Sequence, residues 1–288
     1  MLHDARSLAE KVSATTGLEF EGRAGRDRDG NSSIELHPAG HPSGQTFSLV
    51  TVIGWRRLDI YFQLGNFAGD LVQAMGEVDE SGRLGFQTVL HECKEDGAEV
   101  ALIVNGSKAT VSDASIWEKP WRSAQLTLRK GMLDLNNGDA ETDERLISFW
   151  TSRAAAAILA LLPLEDGDDG NEDADFEPAG LPEGAKTRIE VNRYERDRRN
   201  RAAALTIHGY ACKCCGLDLG ERYVSAAFGL IEAHHLTPVS EIGPDYIVNP
   251  RTDLIPLCPN CHAVAHRRAP PFSVEEVRTM LGVAELPE

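Results

Sequence analysis

Near the start of the chain, apolar residues recur at helical spacing. Ala5, Leu8, Ala9 and Val12 fall on one face, which predicts a helix over residues 4–15. The period then changes. Residues 46–53 (TFSLVTVI) and 58–64 (LDIYFQL) are short, apolar and rich in β-branched and aromatic side chains, which predicts two strands. The GWRR between them is short enough to close a hairpin. FAGDLVQAM (67–75) predicts a short helix. EVALIVNG (99–106) and AQLTLRK (124–130) predict two more strands, the first ending at a turn-forming Asn-Gly. The longest helical pattern is TDERLISFWTSRAAAAILALL (142–162). Its Asp143 and Glu144 suit a first turn, where the helix dipole favours negative charge. Together these elements predict a mixed α+β domain over residues 1–163.

Composition narrows the class. Apolar residues make up 42% and charged residues 26%, as in soluble globular chains, so a fibre or a wholly disordered chain is excluded. No apolar run reaches the length of a membrane span. MLHDARSLAEK has no basic segment followed by an apolar one, so the expected location is cytoplasmic. A net charge of −16, spread evenly, would repel nucleic acid. It is not spread evenly. Residues 186–268 hold 12 basic and 9 acidic residues, whereas residues 165–183 hold nine acids and no base. Such a run cannot bury apolar surface. It divides the chain into residues 1–163, a linker over 164–185 and a second domain over 186–288.

The second domain carries the chemistry. Five of six cysteines lie there: Cys212, Cys214, Cys215, Cys258 and Cys261. Cys212 and Cys215 form one C-x-x-C pair, and Cys258 and Cys261 a second. Two such pairs supply the four thiolates of a closed tetrahedral zinc site. Cys214 is the spare, because its spacing to Cys215 is too short for a knuckle. Histidines cluster beside them. His234 and His235 are adjacent, after GLIEA, which reads as a strand. His262 follows Cys261, and His266 lies one helical turn further on. Neighbours on a strand point to opposite faces, so His234 and His235 cannot both ligate one metal without distortion. Upstream, NRYERDRRNRAAALTIHGY (192–210) reads as a basic helix. Its Arg193, Arg196, Arg199 and Arg201 would either follow a phosphate backbone or form a solvated face.

The segment IEAHHLTPVSEIGPDYIVNPRTDLIPLCPNCHAVAHRR closely resembles the HNH endonuclease family, whose catalytic unit is a ββα-metal fold. NRYERDRRNR and HGYACKCCGLDL resemble the stretch before that unit in zinc-containing bacterial members. The resemblance covers roughly residues 190–268. It implies a divalent cation (Mg²⁺, Mn²⁺ or Ni²⁺) on His234 and His262, with His266 as a third ligand or phosphate contact. His235 would be the general base. Arg267 and Arg268 join the upstream arginines as expected DNA contacts. The family's middle Asn has Asp253 at its position here, nine residues before His262, with Asn249 and Asn260 nearby candidates for the same orienting role. The plan is similar to bacterial modification-dependent restriction enzymes, which join a DNA reader to a C-terminal HNH nuclease. It implies double-stranded DNA as partner, a homodimer to make two cuts, and no membrane. Two rival readings stand: a defence or mobile-element nuclease whose first domain senses a protein or small ligand, and a zinc module that binds nucleic acid without cutting it.

The first domain offers no catalytic signature of its own. Cys93 reads as a core thiol, and His37 and His41 in HPAGHP as a solvated turn. Trp55, Trp117, Trp121 and Trp150 would have to line one wall to cage a modified base. Arg56 and Arg57 at the hairpin could touch phosphate.

Overall fold

A computed structural model describes residues 3–136, 138–163, 197–237, 246–268 and 270–283. The acidic run and residues Arg193 and Arg196 lie outside them. The fold is mixed α and β. Seven strands form one antiparallel sheet: β1 (Phe20–Arg26), β2 (Ser32–Pro38), β3 (Phe47–Gly54), β4 (Arg57–Leu64), β5 (Glu99–Val104), β6 (Ser107–Ala109) and β7 (Ala124–Lys130). Their order is β1-β2-β3-β4-β7-β5-β6. Period-2 alternation gives the sheet a buried face. Leu58, Ile60 and Phe62 of β4 lie opposite Ile53, Thr51 and Leu49 of β3, and all are buried. On the other face Asp59 is held between Arg57 at 2.8 Å and Arg129 across the strand pair.

Four helices accompany the sheet: α1 (Ala5–Thr16), α2 (Gly69–Gly76), α3 (Glu80–Glu95) and α4 (Ala140–Leu161). α1 packs on β1 and β2, α4 on β3 and β4, and α3 on β5. α4 is buried along most of its length because α1 and α3 flank it. It starts at Ala140, two residues earlier than the pattern suggests, after the N-cap Asp139, whose carboxylate accepts from the N–H groups of Glu141 and Thr142. Two glycines make the layers fit. A Cβ on Gly22 of β1 would lie 2.2 Å from the Ala5 carbonyl oxygen of α1, and one on Gly82 of α3 would lie 2.5 Å from that of Ala160 in α4. The GWRR segment does close the β3–β4 hairpin, with Trp55 and Arg56 between the paired Gly54 and Arg57. Arg56 takes the positive φ of 55° that such a tight turn requires.

After the acidic run comes α5 (Arg198–His208), capped by Asp197. It contributes to two cores. Ala202 and Ala203 join the large core with α4, while Leu205 joins a small one with Ile231, Leu257, Val277 and the cysteines. The small core is covered by α6 (Leu219–Tyr223), a two-stranded ribbon of β8 (Glu232–His235) and β9 (Leu254–Leu257), α7 (Pro259–Ala265) and α8 (Val274–Leu281). Among the described residues, no helix is long and apolar enough to cross a membrane.

Candidate metal and active site

The four cysteines of the two C-x-x-C pairs converge, with Sγ atoms within 4.8 Å of one another. The first knuckle is closed by the Gly216 N–H donating to the Cys212 carbonyl at 2.8 Å, with Gly216 at a φ of 72°. The second is the start of α7: Cys258 is the N-cap, Pro259 opens the helix, and the His262 N–H donates to the Cys258 carbonyl at 2.9 Å. The Lys213 N–H donates to the Pro256 carbonyl, tying the first knuckle to β9. The Cys214 thiol and neighbouring backbone N–H groups hold the Cys212 thiol below its ordinary range. Burial pushes Cys261 and Cys215 up, and charge on Cys212 adds to both shifts. Four thiolates in one buried pocket repel one another, and a dication relieves that cost. The set can hold a metal such as zinc. Cys214 is buried outside the set and hydrogen-bonds to Cys212, which raises its pKa.

The same helix presents the histidines. Cys261 and His262 are adjacent on α7, so one turn serves two clusters. His234 of β8, His262 and His266 bring ring nitrogens within 4.8 Å of one another. Their ring centroids are 5.3, 5.0 and 4.6 Å apart, and all three pairs meet edge-on. His234 is buried, His262 half-buried and His266 exposed, so the cluster opens to solvent at one side. His266 is the C-cap of α7, not a residue within it; its N–H donates to the His262 carbonyl at 3.1 Å. As expected, a strand carries the histidine doublet: β8 ends on it, with His234 opposite Ile255 and His235 opposite Leu254, and begins at Glu232 rather than at Gly229. His235 is 8% exposed.

Asp253 and Asn249 shape the turn that enters β9. The Asp253 carboxylate accepts from the Tyr246 hydroxyl at 2.8 Å, from the Asn249 N–H at 2.8 Å and from the Thr252 hydroxyl at 2.8 Å. The Asn249 side-chain oxygen accepts from the Arg251 N–H. The link to the histidines runs through backbone: the Leu236 N–H, next to His235, donates to the Asp253 carbonyl at 2.9 Å.

The arginines divide. Arg201 is turned inward, contrary to the reading of a phosphate-facing row. Its guanidinium donates to the Ala14 and Thr15 carbonyls at the end of α1 and to those of Gly229 and Ile231 before β8. The reason is geometric: α5 packs between both cores, so one of its faces cannot meet solvent. Arg199 lies near Asp79 and Asp197 at 3.6 and 3.5 Å. Arg267 and Arg268 are exposed beyond α7, and Arg268 pairs with Glu276 at 2.7 Å and stacks over Phe272.

In the first domain, Trp121 and Trp150 are buried and Trp117 stacks on Trp121 at 4.9 Å, while Trp55 is 79% exposed at the hairpin tip. They do not share a wall. Cys93 is buried, and burial pushes its thiol up to about 12. His37 pairs with Glu21 at 3.4 Å across β1 and β2. Sequence reading passed over α3 and its polar face, although Phe86, Val89, Leu90 and Cys93 have helical spacing. It also passed over Tyr210, whose hydroxyl meets Thr15 of α1 at 2.6 Å. Compared with known families, curated proteins and solved structures, the chain finds no match.

Proposed function

We propose that the protein is a metal-dependent DNA endonuclease whose β8–β9–α7 unit is a ββα-metal site of the HNH type. The observation that carries this reading is the meeting of His234, next to His235 on β8, with His262 and His266 at the end of a helix anchored by the cysteine cluster. Three clustered imidazoles, open to solvent on the His266 side, suit a divalent cation with positions left for water and phosphate. Such a cation, when bound, supplies an electrophile for charge developing on the phosphate and the leaving oxygen. The chain's own groups do the rest. His234, His262 and His266 would hold the cation. His235, on the alternate side of the strand, accepts the proton of the attacking water, a task imidazole suits near neutral pH. Asp253 positions His235 through the main chain at Leu236. Arg267 and Arg268 lie beyond α7 where a phosphate backbone could run. Zinc on the four cysteines fixes α7 and therefore His262 on it and His266 at its C-cap.

In this reading residues 1–163 select double-stranded DNA, modified or not, and the protein works as a homodimer that cuts both strands. The test is incubation of the intact protein with plasmid and Mg²⁺, Mn²⁺ or Ni²⁺. Nicking is expected with at least one of these metals. His235→Ala should lower the rate by roughly 100-fold to 10⁴-fold, the contribution of a general base, while keeping zinc content and fold. No nicking with any metal, or undiminished nicking by His235→Ala, would refute the assignment.

A further inference from the structure

A second site lies between the two parts of the chain. A cleft of about 370 Å³ separates α3 from the turn that enters β9. Gln87, His91 and Lys94 line it from α3, Ser112 from the loop before β7, and Asn249 and Arg251 from the turn. Residues 87, 91 and 94 fall on one helix face. Its size is that of a small-ligand pocket. Most of its lining surface is apolar by area, although Val111 is the one wholly apolar side chain among the lining residues. The polar groups are an ammonium, a guanidinium, an imidazole, amides and hydroxyls, of which the Gln87 amide already donates to the Val111 carbonyl and the Thr88 hydroxyl to that of Leu84. That is the set which contacts phosphate oxygens in nucleic-acid complexes.

Two further contacts orient it. Glu92 pairs with the Arg251 guanidinium and is itself largely covered, so it fixes the fork in place. The Asn249 side-chain oxygen is taken by the Arg251 N–H, so the acceptor end of that amide faces the turn. The turn is also the one tied to the histidine strand: Asn249 to the Asp253 carboxylate, and Asp253 carbonyl to Leu236 beside His235. Lys94 and Arg251 are the two basic side chains of the lining, with the Glu92 carboxylate paired to Arg251 and the Asp253 carboxylate bonded to the Asn249 N–H beside them.

We infer that this cleft binds a phosphate of the DNA strand adjoining the one that is cut, so that α3 completes the substrate path. The inference rests on the nuclease reading and adds α3 to it. Neither part of the chain forms the site alone.

The test uses the full-length protein carrying His235→Ala, so that binding is measured without cutting. Affinity for duplex DNA is followed across salt concentrations. Lys94→Gln should make the slope of log affinity against log salt shallower by about 0.9, one phosphate contact, which is roughly an 8-fold loss at about 0.1 M salt. Lys119→Gln, exposed and not among the residues lining the cleft, should leave slope and affinity unchanged. An unchanged slope for Lys94→Gln, or an equal loss for Lys119→Gln, overturns the proposal. Inorganic phosphate, titrated calorimetrically, separates the sources. Phosphate heat that Lys94→Gln abolishes, together with an unchanged DNA slope, would mark a free-phosphate site and end the strand assignment. If the wild-type protein cuts nothing yet Lys94→Gln shifts the slope, the cleft stands and the nuclease reading falls. Cutting with an unshifted slope gives the opposite result.

Discussion

Replacing Arg201 by Met separates a structural arginine from a DNA-binding one. The guanidinium reaches four carbonyl oxygens at 2.7 to 3.3 Å, two at the end of α1 and two before β8. The α1 pair are carbonyls of a helix terminus, where the dipole favours a cation. Met keeps most of the buried stem's volume, so the change isolates the polar contacts. A hydrogen bond from a charged donor contributes about 1.5–3 kcal/mol, but four sharing one group do not add. The change leaves neutral carbonyls unpaired and no charge behind, which costs about 1–3 kcal/mol, and we expect that range here. With roughly 2–4 °C of melting temperature per kcal/mol for a chain of this size, the shift is on the order of 5 °C downward. Guanidinium denaturation followed by circular dichroism measures the first quantity and a thermal scan the second. A loss below about 1 kcal/mol, with a shallower salt dependence of DNA binding, would put the guanidinium on DNA and refute the structural role.

Three other outcomes follow from the same contacts. Chelating the metal, or replacing Cys258 by Ser, should strip amide-exchange protection from the small core while the seven-stranded sheet keeps its own, since a structural zinc contributes roughly 10 kcal/mol or more to folding; equal protection with and without metal would count against the zinc. Cys93 should resist thiol alkylation in the native protein at neutral pH and react on denaturation, because burial holds its pKa up at about 12; labelling of the folded chain would contradict that. Lys11 and Ser7 hold the Glu144 carboxyl below its ordinary 4.5 through hydrogen bonds. Its contribution is therefore present above the unfolded pKa and lost as pH falls through the lower folded one. Glu144→Gln should cost less than about 1 kcal/mol at neutral pH, the pair being half exposed, and nothing in acid where both states are protonated. A cost that persists in acid would assign the effect to packing.

Much of this protein is written in local pattern. The periodicity of residues 4–15, 46–53, 58–64, 99–106, 124–130 and 142–162 is enough to place one face of each element indoors, because burial rewards that face whatever its partner. The cysteine pairs and the histidine doublet are legible for a related reason: their spacing is a short-range covalent fact. β1 and β2 escaped the pattern. β1 carries two glycines and polar side chains, and Gly22 is explained only by α1 lying against it. The glycines of α3 weaken its helical signal, yet Gly82 is what lets α3 approach α4. Arg201 reads as one more base in a basic helix, and its fate depends on carbonyls from residues nearly 190 positions earlier. The cleft between α3 and Arg251 joins side chains 159 positions apart. Local sequence sets which residues are helical and which are apolar. Which polar groups end up facing each other is fixed by how the layers stack, and that requires the whole chain.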